Sequence, residues 1–250
     1  MFEMISYQLG LTDFALLFAS AMLIGLAKAG ISGASLMGVS VLAIAFGGKG
    51  STGIMLPILI TADIVAVAYY HRHANWFHLL RLFPWVAVGV VLGTLIGDEL
   101  DDQWFRLVMG GIIIVSLCIM IWQERKKKIS IPQGGWFVIT LGMLSGFTTM
   151  VGNLAGSVTS LYLLTMRLPK NEFIGTSAWF FLLVNIFKLP FHFFVWNTIS
   201  LQTLSIDVMA IPAVLLGAFL GIAIVKQIPE ASYRWVIIIS TALASTLMII

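Results

Sequence analysis

The chain has 250 residues, of which 60% are hydrophobic and only 10% charged, with a mean hydropathy of +1.02. Soluble domains carry about a quarter charged residues, so a fold in water would expose far too much apolar surface. The bilayer core, roughly 30 Å thick, takes about 20 apolar residues per helix, so the length allows roughly eight to ten crossings and excludes a soluble catalytic domain. The expected class is an all-α integral membrane protein. Cys118 is the single cysteine and lies in an apolar run, which excludes a disulfide framework or a cysteine metal centre. The net charge of +3 sits in loops beside apolar segments and implies no nucleic-acid partner. The first positive residue is Lys28, so the N-terminus lacks the basic region of a signal peptide.

Interruptions by Gly, Pro or charge predict helical segments at about 11–28, 33–47, 51–70, 80–98 and 104–122. After a polar stretch carrying Arg125-Lys126-Lys127-Lys128, segments follow at about 136–151, 153–166, 172–195, 206–225 and 233–250. The two sets match in order. Gly93-x-x-x-Gly97 corresponds to Gly217-x-x-x-Gly221, Asp63-Ile64 to Asn185-Ile186, Gly25 to Gly146, and Arg106 to Arg234. The expected organisation is a first membrane repeat at 1–124, a basic linker at 125–135 and a second repeat at 136–250. Each repeat holds about five helical segments and opens with a short broken or re-entrant hairpin.

Positive residues in short loops mark the cytoplasmic side. Arg72, Arg81, the linker, Arg167, Lys170, Lys226 and Arg234 all fall on one side, whereas the loop at 98–103 is acidic. Lys49 dissents. Five segments per half then give the halves opposite topology, with both termini in the periplasm of a bacterial inner membrane.

The second and seventh segments, about fifteen residues each, are too short to span comfortably. Their joins to the preceding segments read Lys28-Ala-Gly-Ile-Ser-Gly-Ala-Ser35 and Thr148-Thr-Met-Val-Gly-Asn-Leu-Ala-Gly-Ser157. Such turns free backbone donors that lipid cannot satisfy, so they are buried in protein or line a wet cavity. Short glycine-broken segments at matching places in two halves point to a transporter's site, because helix N-termini suit an anion. The candidate anion ligands at the hairpins are Lys28, Gly30, Ser32, Gly33 and Ser35 with Asn153, Gly156 and Ser157. The bland alternative is that these small residues only allow close packing.

Lys28 at the first hairpin's tip, and Asp63 and Lys188 well inside their segments, are the ionisable residues that stand out. Lysine and aspartate at a helix centre each cost about 2.5–3.5 kcal/mol on insertion scales, so each marks a functional candidate. Lys28 either attracts an anion or snorkels to the interface. Asp63 either carries protons as a coupling residue or pairs with a lysine. Asn185 and Lys188 complete the candidate set, and Pro190 is expected to kink their segment.

Other features read more plainly. Gly89, Gly93 and Gly97, and Gly217 with Gly221, fit close helix contacts, within the chain or between two copies as a homodimer. His71, His73 and His78 stand beside arginines and Trp76, so no metal is assigned to them. Trp85, Trp104, Trp136, Trp196 and Trp235 fall near span ends as an aromatic belt would. No nucleotide-binding motif and no cofactor site is present in the sequence. The only pair an enzyme could use is Asp63 with His192.

Taken with Pro57, Asp63, Arg72 and Trp76, the run Gly25-Leu-Ala-Lys28-Ala-Gly-Ile-Ser-Gly33 resembles the sulfite exporter TauE/SafE family. Gly175-Thr-Ser177 leading to Asn185-Ile-Phe-Lys-Leu-Pro190 carries the resemblance into the second half. The resemblance implies an inner-membrane transporter, in a family many of whose members export sulfite, sulfoacetate or related organosulfur anions. It also implies that Lys28, Asp63, Asn185 and Lys188 take the positions of the family's polar membrane residues. Val151-Gly-Asn-Leu-Ala-Gly156 departs from it, since many members have a denser glycine run there. The expected function is a secondary transporter of a small anion, exporting it by alternating access. The alternative is a passive anion channel or an uptake carrier for a small carboxylate or sulfur anion. The expected partners are that anion and the lipid bilayer.

Overall fold

The computed structural model describes residues 10–31, 34–46, 48–97, 114–115, 118–119, 121–122 and 134–249. The segment expected at 104–122 falls mostly outside them, and Arg125–Lys128 wholly so. The described residues are helical, with no strand among them. Helices suit a chain this apolar, because every backbone donor and acceptor finds its partner within the same segment.

The first half contains α1 (Leu11–Lys28), α2 (Ala34–Phe46), α3 (Gly48–Tyr70) and α4 (Trp76–Ile96). The second contains α5 (Gly135–Gly152), α6 (Ala155–Thr165), α7 (Lys170–Phe194), α8 (Leu201–Gln227) and α9 (Glu230–Ile249). Six of these, α1, α3, α4, α5, α7 and α8, are long and apolar enough to cross a membrane. By contrast α2 has 13 residues and α6 has 11. At 1.5 Å per residue they reach only about 20 and 17 Å, short of a core roughly 30 Å thick. Each is therefore the return arm of a hairpin opened by α1 or α5.

Glycine sets the packing. A Cβ at Gly25 would run into the Val214 carbonyl, and one at Gly217 into the Met22 carbonyl. Matching contacts climb both helices together, up to Gly221 against Leu26 and Ala29, so α1 and α8 run parallel. The other pair is built alike: Gly146 abuts Val86 and Val90, Gly89 abuts Met143, and Gly93 abuts Phe147 and Met150. Thus α4 and α5 also run parallel. Without glycine the backbones could not approach so closely, and dispersion contact over that distance drives helix association in lipid. These glycine faces are occupied within the chain, so any pairing of two copies would have to use another surface.

Between the pairs lie α3 and α7, running antiparallel. Gly53 packs on the Thr198 carbonyl at one end, and the Asn75 amide donates to Thr176 Oγ1 over 2.8 Å at the other. Of the six long apolar helices, α3 is the most buried. Pro190 removes the donor that the Ile186 carbonyl would use, yet α7 continues to Phe194. The aromatic belt is partly corrected. Trp85, Trp136 and Trp235 are exposed, but Trp196 is buried and donates its indole N–H to the Thr94 carbonyl over 3.2 Å. A buried indole needs an acceptor, and the free carbonyl of Thr94 near the end of α4 supplies one. Trp104 lies outside the described residues.

Candidate functional site

The first hairpin turns directly after Lys28. The amides of Ala29 and Gly30 close the last turn of α1 on the carbonyls of Gly25 and Ala27. Gly30 then takes φ +126°, a conformation that a side chain would strain. The Tyr233 hydroxyl of α9 donates to the Gly30 carbonyl over 2.8 Å and holds this tip. The second hairpin turns at Asn153, which adopts the left-handed conformation at φ 56° and caps α5. The Asn153 amide donates to the Thr149 carbonyl and the Leu154 amide to that of Thr148. A 2.8 Å hydrogen bond between Ser145 and Thr159 fastens α6 against α5.

Both tips face one cavity of about 580 Å³, its open mouth included. Lys28, Gly30 and Ser35 line it from the first hairpin, and Thr149, Asn153 and Gly156 from the second. The α7 face contributes Ile174, Ser177, Phe181 and Asn185, while α9 contributes Tyr233.

Three ionisable side chains cluster here, Lys28 in the cavity wall and the fully buried Asp63 and Lys188 behind it. Lys28 Nζ lies 2.9 Å from Asp63 Oδ1 and 3.9 Å from the centroid of the Phe181 ring. Both side chains of that ion pair are withdrawn from solvent, at 8% and 0% exposure. Lys28 therefore does not snorkel; it turns inward to a carboxylate. On its other side Asp63 Oδ2 accepts from Asn185 Nδ2 over 2.7 Å. Lys188, fully buried one turn further along α7, donates to Asn153 Oδ1 and reaches Thr149 Oγ1 at 3.4 Å and Asn185 Oδ1 at 3.5 Å. These are three neutral oxygens. A polar chain thus runs from the first tip through α3 and α7 to the second tip.

Of the expected ligands, Lys28, Gly30, Ser35, Asn153, Gly156 and Asn185 line the cavity, and Lys188 stands behind Asn153 and Asn185. Ser157 is buried at 1% exposure, and its hydroxyl has no hydrogen-bond partner among the described residues. Ser32 and Gly33 lie outside the described residues. The sequence reading missed Thr149, Phe181 and Tyr233. Thr149 stands inside the hairpin join and could have been taken with it, whereas Phe181 and Tyr233 are an aromatic among many and a tyrosine near a helix start. His192, the other half of the enzymatic pair, hydrogen-bonds Thr198 at 2.8 Å, while Asp63 is held by Lys28 and Asn185.

The family model of the sulfite exporter TauE/SafE matches residues 17–248. The chain belongs to the sulfite exporter TauE/SafE family. It is accordingly a multi-pass membrane protein of a transporter family and not an enzyme. The match runs through both hairpins and through Lys28, Asp63 and Lys188. No curated protein matches the sequence.

Proposed function

We propose that this member of the TauE/SafE family is a secondary transporter that exports a small anion, such as sulfite or an organosulfonate. The anion binds between the two hairpin tips and crosses as two inverted halves rock about it. One observation carries the reading: tips from the two halves of the chain line a single cavity, with Lys28 in its wall and the buried Lys188 directly behind Asn153 and Asn185.

The inverted organisation has support in the pairing of helices. The first helix of one half packs along the glycine face of the other half's α8, and α5 packs reciprocally on α4. Asp63 and Asn185, matched between the halves, are hydrogen-bonded to each other, as residues beside a pseudo-twofold axis would be. With the basic loops in the cytoplasm of a bacterial cell, both termini are periplasmic. Ile174 and Tyr233 then stand at the cytoplasmic end of the cavity, within about a turn or two of the basic loops at 167–172 and 226–234. An exporter loads from that side.

Purified protein in liposomes, supplied with labelled sulfite, sulfoacetate or a carboxylate analogue, is expected to give saturable flux that Lys28→Ala diminishes. Absence of saturable, Lys28-dependent flux for all three would refute the proposal.

A further inference from the structure

We propose that the cavity is entered through a second, polar cleft stacked on its end nearest the basic loops, and that the thin buried layer between the two is a gate latched by the hydrogen bond from Tyr233 to Gly30. This deepens the anion-transport reading, on which the nature of the passing species rests; the gate itself rests on the packing.

The cleft measures about 1150 Å³, its open mouth included. Exposed Asn171, Lys226, Gln227 and Glu230 stand in its walls, with half-buried Lys170 beside them. Among the described residues that line it, Lys170 and Lys226 outnumber the one acid, Glu230, whose carboxylate already accepts from the Lys170 amide. Lys170 Nζ donates to the carbonyls of Val225 and Ile228, over 3.3 and 2.7 Å, and so ties the start of α7 to the end of α8. Lys226 Nζ lies 5.0 Å from the centroid of the Tyr69 ring. A mouth of this sign gathers small anions by its field rather than by fit.

Cleft and cavity share a wall. On α7 the cleft is lined at Lys170 and Asn171, and the cavity one turn on, at Phe173 and Ile174. On α9 the cleft is lined at Glu230 and the cavity at Tyr233. Successive turns of two helices thus pass from one space to the other, a step of about 5 Å. Val225 and Tyr70 form the floor of the cleft, while Gly30, Phe173, Ile174 and Tyr233 close the end of the cavity. Floor and end are one packed layer. A Cβ on Gly30 would stand 3.0 Å from Ile174 and 3.2 Å from Val225, and the Phe173 and Tyr233 rings meet edge to face at 5.8 Å. Tyr70, Phe173, Ile174, Val225 and Tyr233 are each at most 4% exposed.

An anion cannot cross close-packed apolar side chains without parting them, because a bare charge among them is costly. The layer is tied to the first tip by the Tyr233 hydroxyl, which donates to the Gly30 carbonyl. Gly30, at φ +126°, is the residue able to absorb the change of backbone angle when that bond opens. The layer draws on the first tip, α3, α7, α8 and α9, so movement of one half of the chain against the other parts it.

Thiol accessibility tests the gate without needing transport. In a Cys118→Ser background, a cysteine is placed in the cleft, as Asn171→Cys, or in the cavity beyond the layer, as Ser177→Cys. Sealed membranes with the basic-loop face outward are treated with a membrane-impermeant sulfonated methanethiosulfonate, itself a small anion. Asn171→Cys is expected to react faster than Ser177→Cys by about tenfold or more. Tyr233→Phe should speed the cavity cysteine by about fivefold, the worth of one hydrogen bond, and Ile174→Ala, which thins the layer, at least as much. Neither should change the rate at Asn171→Cys. If the cavity cysteine reacts as fast as the cleft cysteine, or if neither variant speeds it, the gate is overturned. If the variants speed both cysteines, or speed the cavity cysteine equally from the opposite face, the loosening is general and the gate is overturned as well. Absence of Lys28-dependent flux with the labelling pattern intact refutes transport and leaves the gate standing, and the reverse result removes the gate alone.

Discussion

The two hairpins meet at one cavity but bring different chemistry to it. The first tip supplies its own charge, Lys28, and that charge is already answered by Asp63 across the gap to α3. The second tip supplies an amide, a hydroxyl and backbone, and borrows its charge from Lys188 on α7. The two tips thus differ in the chemistry they bring to the site. One side is an ion pair that cross-links helices; the other is a fully buried lysine surrounded by neutral oxygens. The same residue type, lysine in a membrane, meets a carboxylate in one place and only neutral oxygens in the other.

That contrast predicts opposite responses to mutation. Asp63→Ala strands Lys28 in the interior and should lower stability by about 3–5 kcal/mol, read as unfolding in detergent. Adding Lys28→Met should recover most of the loss, and no recovery would mean the pair is not the source of it. Lys188→Met should do the reverse, leaving stability unchanged or higher while flux collapses. A Lys188→Met protein as unstable as Asp63→Ala would erase the distinction between the two lysines. Smaller effects probe the scaffold under each tip. Gly146→Leu pushes a side chain into the Val86 carbonyl and should destabilise by about 1–3 kcal/mol or prevent assembly. Gly135→Ala, with nothing within 4 Å of its added Cβ, is the neutral control. Smallest is Tyr233→Phe, which deletes the donor to the Gly30 carbonyl and should remove about 1 kcal/mol. Faster amide exchange at residues 29–31 than in wild type would locate that loss at the first tip.

Most of the helices were readable because lipid demands long apolar runs and because Gly, Pro and charge punctuate them. The segment expected at 11–28 is α1, and the short return arms expected at 33–47 and 153–166 are α2 and α6 within a few residues. Six of the candidate ligands reach the cavity because hairpin turns collect small and polar residues at their tips. The partnership of the charges was not readable. Lys28 and Asp63 are 35 positions apart, and Asp63 and Asn185 are 122 apart, separations that no helical period reports. Hence the choice between a free and a paired Asp63 stayed open until the helices were in place. Trp196 misled for a similar reason: its position near a span end fits the interface, but the carbonyl that captures it lies 102 residues away.

The parallel glycine pairs carry a consequence for how the protein is made. The partners of α5 on α4 lie about 57 positions back, as Gly89 does from Phe147 and Met143 in the same contact set, so this pair can close soon after its second member leaves the ribosome. Met22 and Gly217, by contrast, are 217 − 22 = 195 positions apart. At about 5–20 residues per second, the first helix waits roughly 10–40 s in the membrane for the face it will pack on. Lys28 and its partner Asp63 both belong to the first 70 residues, so their pair needs no later helix. A pair that can close this early is a brace for an unfinished first half, holding a lysine within the bilayer until α8 arrives.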